Sequence, residues 1–236
     1  MPLEVWLYGT RMGTLGGTTW RDFDFTLSPA AIARFGVLDY DVRIGYFDGR
    51  PLLLVERYDR IAKKDGTIRR VHQEDMNQAL GASGNQKYQK HGGVSTLRRI
   101  SQVVSHHGPG QLNSFLKLVV FSAAIGNLDF HAKNISLLHL PDGRGLLAPA
   151  YDNVPLLHQP TDGELALAVN GIYRLADVRL TDLAAEAESW GMSDQTPRIN
   201  TWLAHLDALV DTTVPSPGTA PDLPEAIKQN ISRLRS

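Results

Sequence analysis

The pattern of hydrophobic and polar positions divides the chain into a β-rich first part and a helical second part. In residues 3–27, short apolar runs are broken by glycines, which predicts a β-hairpin or small meander with a turn near Tyr8–Thr10. Residues 42–47 and 52–56 form two further predicted strands, joined by an Asp48-Gly49 turn. This first part is therefore predicted to consist mainly of hairpins.

Helical periodicity dominates after residue 72, with one short helix before it. The predicted helices cover residues 28–37, 72–80, 97–107, 111–125, 180–191, 197–210 and 224–234. The segment 111–125 carries an apolar face typical of a core helix, formed by Leu112, Phe115, Leu116, Val119, Val120 and Ala123. Two strands within 134–152 flank an Asp142-Gly143 turn, and residues 81–95 are predicted to be a polar loop. These elements together indicate an α+β fold.

The composition is that of an ordinary globular protein. The chain has 236 residues, 42% of them hydrophobic and 21% charged, with a net charge of −1. No global field would therefore attract nucleic acid or a membrane surface. The absence of cysteine excludes disulfides, iron–sulfur clusters and cysteine-ligated zinc. Because no run has signal-peptide or membrane-spanning character, we expect a cytoplasmic protein without membrane contact.

A dense polar segment, GNLDFHAKN, directly follows the core helix. Asp129 and Asn134 lie in it, and Asp152 follows the next predicted hairpin, which should return it towards Asn134. Asparagine and aspartate oxygens suit magnesium, and a second aspartate can accept a proton from a hydroxyl. Protein kinases use this spacing in their catalytic and metal-binding loops. The alternative is structural, with Asp129 capping a helix and Asn134 bonding a turn.

Several motifs in the same order resemble the HipA family of bacterial serine/threonine kinases. They are GNLDFHAKNISLL, LAPAYDNVPL and LALAVNG, preceded by LLLVERYDR, VHQEDMNQALG and KYQKHGG. The N-terminal VWLYGTRMGTL also resembles the small β-subdomain that opens these kinases. The resemblance implies ATP and magnesium as cofactors and a serine or threonine of a protein as the phosphoryl acceptor. It also implies a HipB-like antitoxin as a partner, with DNA contacted only through that antitoxin.

The resemblance further implies a role for each matching residue. Asp129 would be the catalytic base, with Asn134 and Asp152 as the magnesium ligands. His131 would lie beside them and contact phosphate, and Lys133 is a weaker candidate for the transferred phosphoryl group. Glu56, Arg57 and Tyr58 would form the hinge that meets adenine. The residues themselves leave another interpretation open, in which Arg57, Asp59 and Arg60 are a surface salt-bridge cluster.

The sequence departs from the kinase pattern in its first part. The first lysine is Lys63, already past the hinge, and the early glycines do not form a G-x-G-x-x-G loop. The segment 36–40 spans the place where HipA-like kinases carry the phosphate loop and the ATP lysine. We therefore expect a truncated kinase-like fold with weak or absent activity and an exposed sheet edge. Its expected parts are a β-subdomain remnant (1–37), residual strands and hinge (38–60), and a helical lobe with a catalytic β-hairpin (61–236).

Two other functions compete with an active kinase. The chain could be an inactive kinase-like module that docks a HipB-like antitoxin. It could also be a metallophosphoesterase built on Asp129, His131, His139 and His158, although it lacks the further aspartate and histidine motifs of such two-metal sites.

Overall fold

The computed structural model describes residues 3–7, 10–15, 35–37, 40, 42–48, 50–215 and 219–236. The rest of the predicted N-terminal meander and most of the predicted helix 28–37 lie outside these residues. No helix in the described ranges is long and apolar enough to cross a bilayer.

Three antiparallel hairpins occupy the first part of the chain. Strand β1 (Leu3–Leu7) pairs with β2 (Thr10–Leu15), which confirms the opening hairpin. Strands β3 (Val42–Phe47) and β4 (Arg50–Val55) pair along their whole length. The third hairpin joins β5 (Arg60–Ala62) to β6 (Ile68–Arg70) through the Lys64-Asp65-Gly66 turn.

The predicted helix over residues 72–80 is wrong in its first half. Residues His72–Asp75 form strand β7, and helix α1 covers only Met76–Ala79. The helix begins late because Asp75 caps it: its carboxylate accepts from the Gln78 N–H, and the Gln78 side chain accepts from the Asp75 N–H. Strand β7 then pairs with β8 (Ser136–His139), with His72 opposite His139.

Five longer helices build the core of the second part. They are α2 (Leu97–Ser105), α3 (Pro109–Ile125), α4 (Leu180–Ser189), α5 (Thr196–Thr212) and α6 (Leu223–Arg235). The predicted core face of α3 is confirmed, since all of its residues are buried except Leu112, which is half-buried. Trp190 stacks on Phe115 with ring centroids 5.0 Å apart, and the half-buried Trp202 also packs on the core. Helix α3 is thus enclosed by the others and provides a rigid support for the segment that follows it.

Two further hairpins complete the second part. Strands β8 (Ser136–His139) and β9 (Gly145–Leu147) form the predicted hairpin, but β9 ends five residues before Asp152. Strands β10 (Glu164–Val169) and β11 (Ile172–Arg174) form a hairpin where no element was predicted. Asn170 and Gly171, both with positive φ, make its turn. The α+β class is confirmed, and the three-part division of the chain stays a prediction.

Candidate functional site

The polar segment begins where helix α3 ends. Gly126 has φ +71°, and its N–H donates to Ala123 O (3.2 Å) while the Asn127 N–H donates to Ser122 O (2.9 Å). This is the pattern of a helix terminated by a left-handed residue. The side chain of Leu157 fills the space where a Cβ of Gly126 would lie. The chain therefore leaves the buried helix abruptly and in a fixed direction.

A tight turn holds Asp129 and Asn134 together. The backbone carbonyl of Asp129 accepts from the His131 N–H (2.8 Å) and from Asn134 Nδ2 (3.0 Å). Asn134 is buried, whereas the Asp129 carboxylate is about half exposed. Because the Asn134 nitrogen is used by the backbone, its oxygen is the atom left to face a cation. The structural alternative is therefore partly right, since Asn134 does stabilise the turn.

The segment carrying Asp152 is tied to the same turn from the other side. Asn127 Nδ2 donates to Asp152 O (3.4 Å) and to Asn153 Oδ1 (3.3 Å). The Tyr151 hydroxyl donates to Lys133 O (2.7 Å), and burial raises the pKa of that hydroxyl. Asp152 is exposed with φ +53°, a left-handed conformation that is uncommon outside glycine. Strained backbone of this kind is often found at functional sites.

His131 lies buried beside Asp129, in contact with two residues that the sequence analysis did not assign to the site. Lys87 Nζ is 2.7 Å from His131 Nε2, and the Tyr88 hydroxyl donates to Asp129 Oδ1 (3.1 Å). The Tyr88 ring meets the imidazole edge-on at 5.3 Å. Burial lowers the pKa of His131, the Asp129 carboxylate opposes that shift, and Lys87 adds to it. The motif KYQKHGG was the signal that could have pointed to these two residues.

The other predicted site residues lie in different surroundings. Lys133 is exposed. Glu56 and Arg57 are exposed, and Arg57 donates twice to the Asp59 carboxylate (2.8 and 2.7 Å), so the salt-bridge cluster exists. Half-buried Tyr58 packs in a small apolar cluster with Tyr151. The segment predicted to be the hinge therefore packs, through Tyr58, beside the residue that precedes Asp152.

The metallophosphoesterase interpretation gains no support. His139 is held by Glu74 (2.9 Å between Nε2 and Oε2) and stacks on His72 rather than joining the Asp129 turn. Among the residues that the structure describes, no group of three or more histidine, aspartate or glutamate side chains is arranged to hold a metal. The oxygens of Asn134 and Asp152, by contrast, are the hard donors that suit a magnesium ion shared with phosphate oxygens.

Comparison with known proteins places this geometry in a family. The model of the HipA-like C-terminal domain matches residues 25–213. Y4mE of Sinorhizobium fredii is 33% identical over 147 residues, which is 61% of this chain and 33% of that protein. The serine/threonine-protein kinase toxin HipA of Shewanella oneidensis is 29% identical over 167 residues, or 64% of this chain and 38% of that protein. The chain thus spans about a third of the length of these curated relatives.

Solved structures share the fold. The HipA, HipB and operator DNA complex of Shewanella oneidensis matches with a TM-score of 0.68 and 23% identity, over 86% of this chain and 52% of that chain. The Helicobacter pylori proinflammatory kinase CtkA matches with a TM-score of 0.50 and 13% identity, over 87% of this chain and 76% of that chain. Because the family model covers well over half of the sequence, this chain belongs to the HipA family, of which it carries the HipA-like C-terminal domain.

Proposed function

We propose that this chain is the catalytic lobe of a HipA-like serine/threonine kinase that transfers a phosphoryl group from ATP to a protein hydroxyl. The observation that carries the proposal is the turn in which Asn134 donates to the Asp129 backbone (3.0 Å), while the Asp129 carboxylate stays about half exposed. A catalytic base must be accessible to the hydroxyl of a protein substrate, as Asp129 is, whereas a metal ligand must be held in place, as Asn134 is. The two residues meet these opposite requirements.

Each residue of the turn then has a defined task. The Asp129 carboxylate accepts the proton of the substrate hydroxyl. As it does so, the hydroxyl oxygen bonds to the γ-phosphorus of ATP, and the bond from that phosphorus to the β-phosphate oxygen breaks, so that ADP leaves. The oxygens of Asn134 and Asp152 would hold magnesium. Magnesium, when bound, neutralises the charge on the phosphate oxygens. His131 contacts phosphate, and Glu56, Arg57 and Tyr58 meet the adenine.

The rate of this reaction should be low in the chain alone. Kinases cover the phosphates with a glycine-rich loop and pair them with a strand lysine. The first lysine of this chain is Lys63. Losing such positioning and electrostatic groups lowers rates by orders of magnitude. We expect transfer that is slow but dependent on Asp129.

The test is phosphoryl transfer from labelled ATP, with magnesium, to the chain itself and to a generic protein substrate. Asp129→Ala should abolish transfer while leaving ATP binding in place, and Asp152→Asn should weaken the magnesium-dependent thermal shift with ATP. Asp142→Asn is the matched control, because the Asp142 and Asp129 side chains are 51% and 52% exposed. Transfer that persists in Asp129→Ala would remove Asp129 from the mechanism.

A second candidate function is docking of a HipB-like antitoxin without catalysis, with DNA reached only through that partner. It is supported by the fold match to a HipA chain from a complex with HipB and operator DNA. Absence of an ATP-dependent thermal shift, together with stable association with a small helix-turn-helix partner, would favour this function.

A further inference from the structure

The Lys87 ammonium makes its close contacts with two aromatic side chains, His131 and Tyr88. Its Nζ is 2.7 Å from the His131 Nε2 and 4.7 Å from the centroid of the Tyr88 ring. Among the described residues no carboxylate forms an ion pair with it, whereas Lys90, three positions later, pairs with Glu164. A partly buried ammonium without a direct ion-pair partner can bind an anion through charge-assisted hydrogen bonds.

The loop that carries Lys87 is ordered by its own hydrogen bonds and by one to a neighbouring strand. Its 3-10 turn (Gly84–Lys87) begins with a capping box between Ser83 and Gln86. The Ala168 N–H donates to the Gln89 side chain (3.0 Å), which joins the loop to strand β10. The backbone that carries Lys87 is therefore held by contacts before and after that residue.

The side chains of Lys87 and Asp129 both approach Nε2 of the buried His131. The distances from His131 Nε2 are 2.7 Å to Lys87 Nζ and 3.9 Å to Asp129 Oδ2. His131 is only 5% exposed, and its Nδ1 has no hydrogen-bond partner among the described residues. The Lys87 ammonium and the Asp129 carboxylate therefore both face the Nε2 edge of a buried imidazole.

We propose that Lys87 binds the phosphoryl group that is transferred, and so supplies from the helical lobe a cation for the phosphates. The inference rests on the proposed kinase function, since the base and the transferred phosphorus must approach the same hydroxyl oxygen. An ammonium has three N–H donors, and contact with His131 uses one of them. The other two donate to phosphoryl oxygens, and Lys87 forms no covalent bond. Tyr88 holds the Asp129 carboxylate in place next to it.

The experiment compares Lys87→Met, Lys87→Gln, Lys87→Arg and the control Lys90→Met by calorimetric titration with magnesium tripolyphosphate and with ATP. Methionine keeps the apolar stem over Tyr88 but removes the charge, and glutamine is a second neutral variant should methionine disturb folding. We expect the tripolyphosphate Kd to rise about tenfold to a hundredfold in both neutral variants. Lys87→Arg should recover most of this loss, and Lys90→Met should match the unmodified chain.

The same variants are then assayed for phosphoryl transfer. Removal of one preorganised donor commonly lowers kcat about a hundredfold to a thousandfold, and we expect the KM for the protein substrate to change far less. Lys87-dependent tripolyphosphate binding without Asp129-dependent transfer would overturn the kinase proposal and keep the anion site. Asp129-dependent transfer that is unchanged in the neutral Lys87 variants would overturn the role of Lys87 and keep the kinase proposal. Tripolyphosphate that binds all variants equally, or does not bind at all, would overturn the role of Lys87.

Discussion

At the scale of single residues, Asp59 is the centre of the charge cluster that it forms with Arg57 and Arg60. Arg57 donates to both of its carboxylate oxygens, and Arg60 also pairs with it. The Asp59 backbone carbonyl accepts from the Val71 N–H (2.9 Å), so the residue also closes the β5–β6 hairpin. Hydrogen bonding to Arg57 holds the pKa of the Asp59 carboxyl below its ordinary value of 3.8.

We expect Asp59→Asn to lower the free energy of unfolding at pH 7 by about 1–2 kcal/mol, because two guanidinium groups lose a charged partner and one of its two acceptor oxygens is replaced by an NH₂ donor. Since the pKa of Asp59 is lower in the folded state, its contribution is full above pH 4 and is lost as the pH falls through the folded-state value. Urea unfolding of both proteins should therefore show a difference that shrinks below pH 4. The exposed Glu188→Gln is the control for loss of one carboxylate. A difference that stays constant down to pH 2 would contradict the assignment.

The residues of the site differ in how far the sequence could predict them. Asp129, Asn134 and Asp152 follow from local spacing, because a helix, a turn and a hairpin carry them in order. Lys87 could not be found in this way, since it meets His131 across 44 residues of chain. Its contact depends on how the 81–95 loop packs against the turn, and no local pattern records that packing.

At the scale of elements, capping and turn residues mark element boundaries that hydrophobic periodicity does not show. Residues 72–80 have a helical pattern, but the first four form strand β7. The Asp75–Gln78 capping box marks where the helix begins. The Asn170-Gly171 pair marks the hairpin that the sequence analysis missed. The core helix α3 was predicted almost to its ends because a long apolar run with a helical period has few other solutions.

The end of helix α3 offers a test of how the site is oriented. Gly126→Ala should cost about 1 kcal/mol for the left-handed backbone, as Gly191→Ala should at the end of α4. At Gly126 the new Cβ would also lie 2.3 Å from Leu157 Cγ, whereas at Gly191 nothing lies within 4 Å. Overpacking of this kind adds about 1–3 kcal/mol. Equal unfolding free energies for the two variants, measured in urea, would show that Leu157 does not constrain the turn.

At the scale of the whole molecule, the C-terminal helix supports the site from the opposite side of the core. The buried Asn230 of α6 donates through its Nδ2 to Ala123 O and Ala124 O, both at 2.8 Å. These carbonyls lie in the last turn of α3, where backbone acceptors have few helical partners; Ala123 O also accepts from the Gly126 N–H (3.2 Å). The helix that precedes Asp129 is thus completed by a residue 107 positions later than Ala123. The turn that carries Asp129 is in this way coupled to the last helix of the chain.

This coupling predicts the effect of Asn230→Leu, which keeps the side-chain volume but removes the donor. We expect the free energy of unfolding to fall by about 1–3 kcal/mol, because the carbonyls of Ala123 and Ala124 both lose the Asn230 donor. Amide hydrogen exchange at Gly126 and Asn127 should accelerate more than exchange in helix α2, since the loosened end of α3 opens locally. Gln229→Leu, one position earlier on the exposed face of α6, is the matched control and should leave exchange at the turn unchanged. If Asn230→Leu destabilises the domain but exchange rises evenly across it, the C-terminal helix contributes stability alone and the orientation of Asp129 depends on the turn itself.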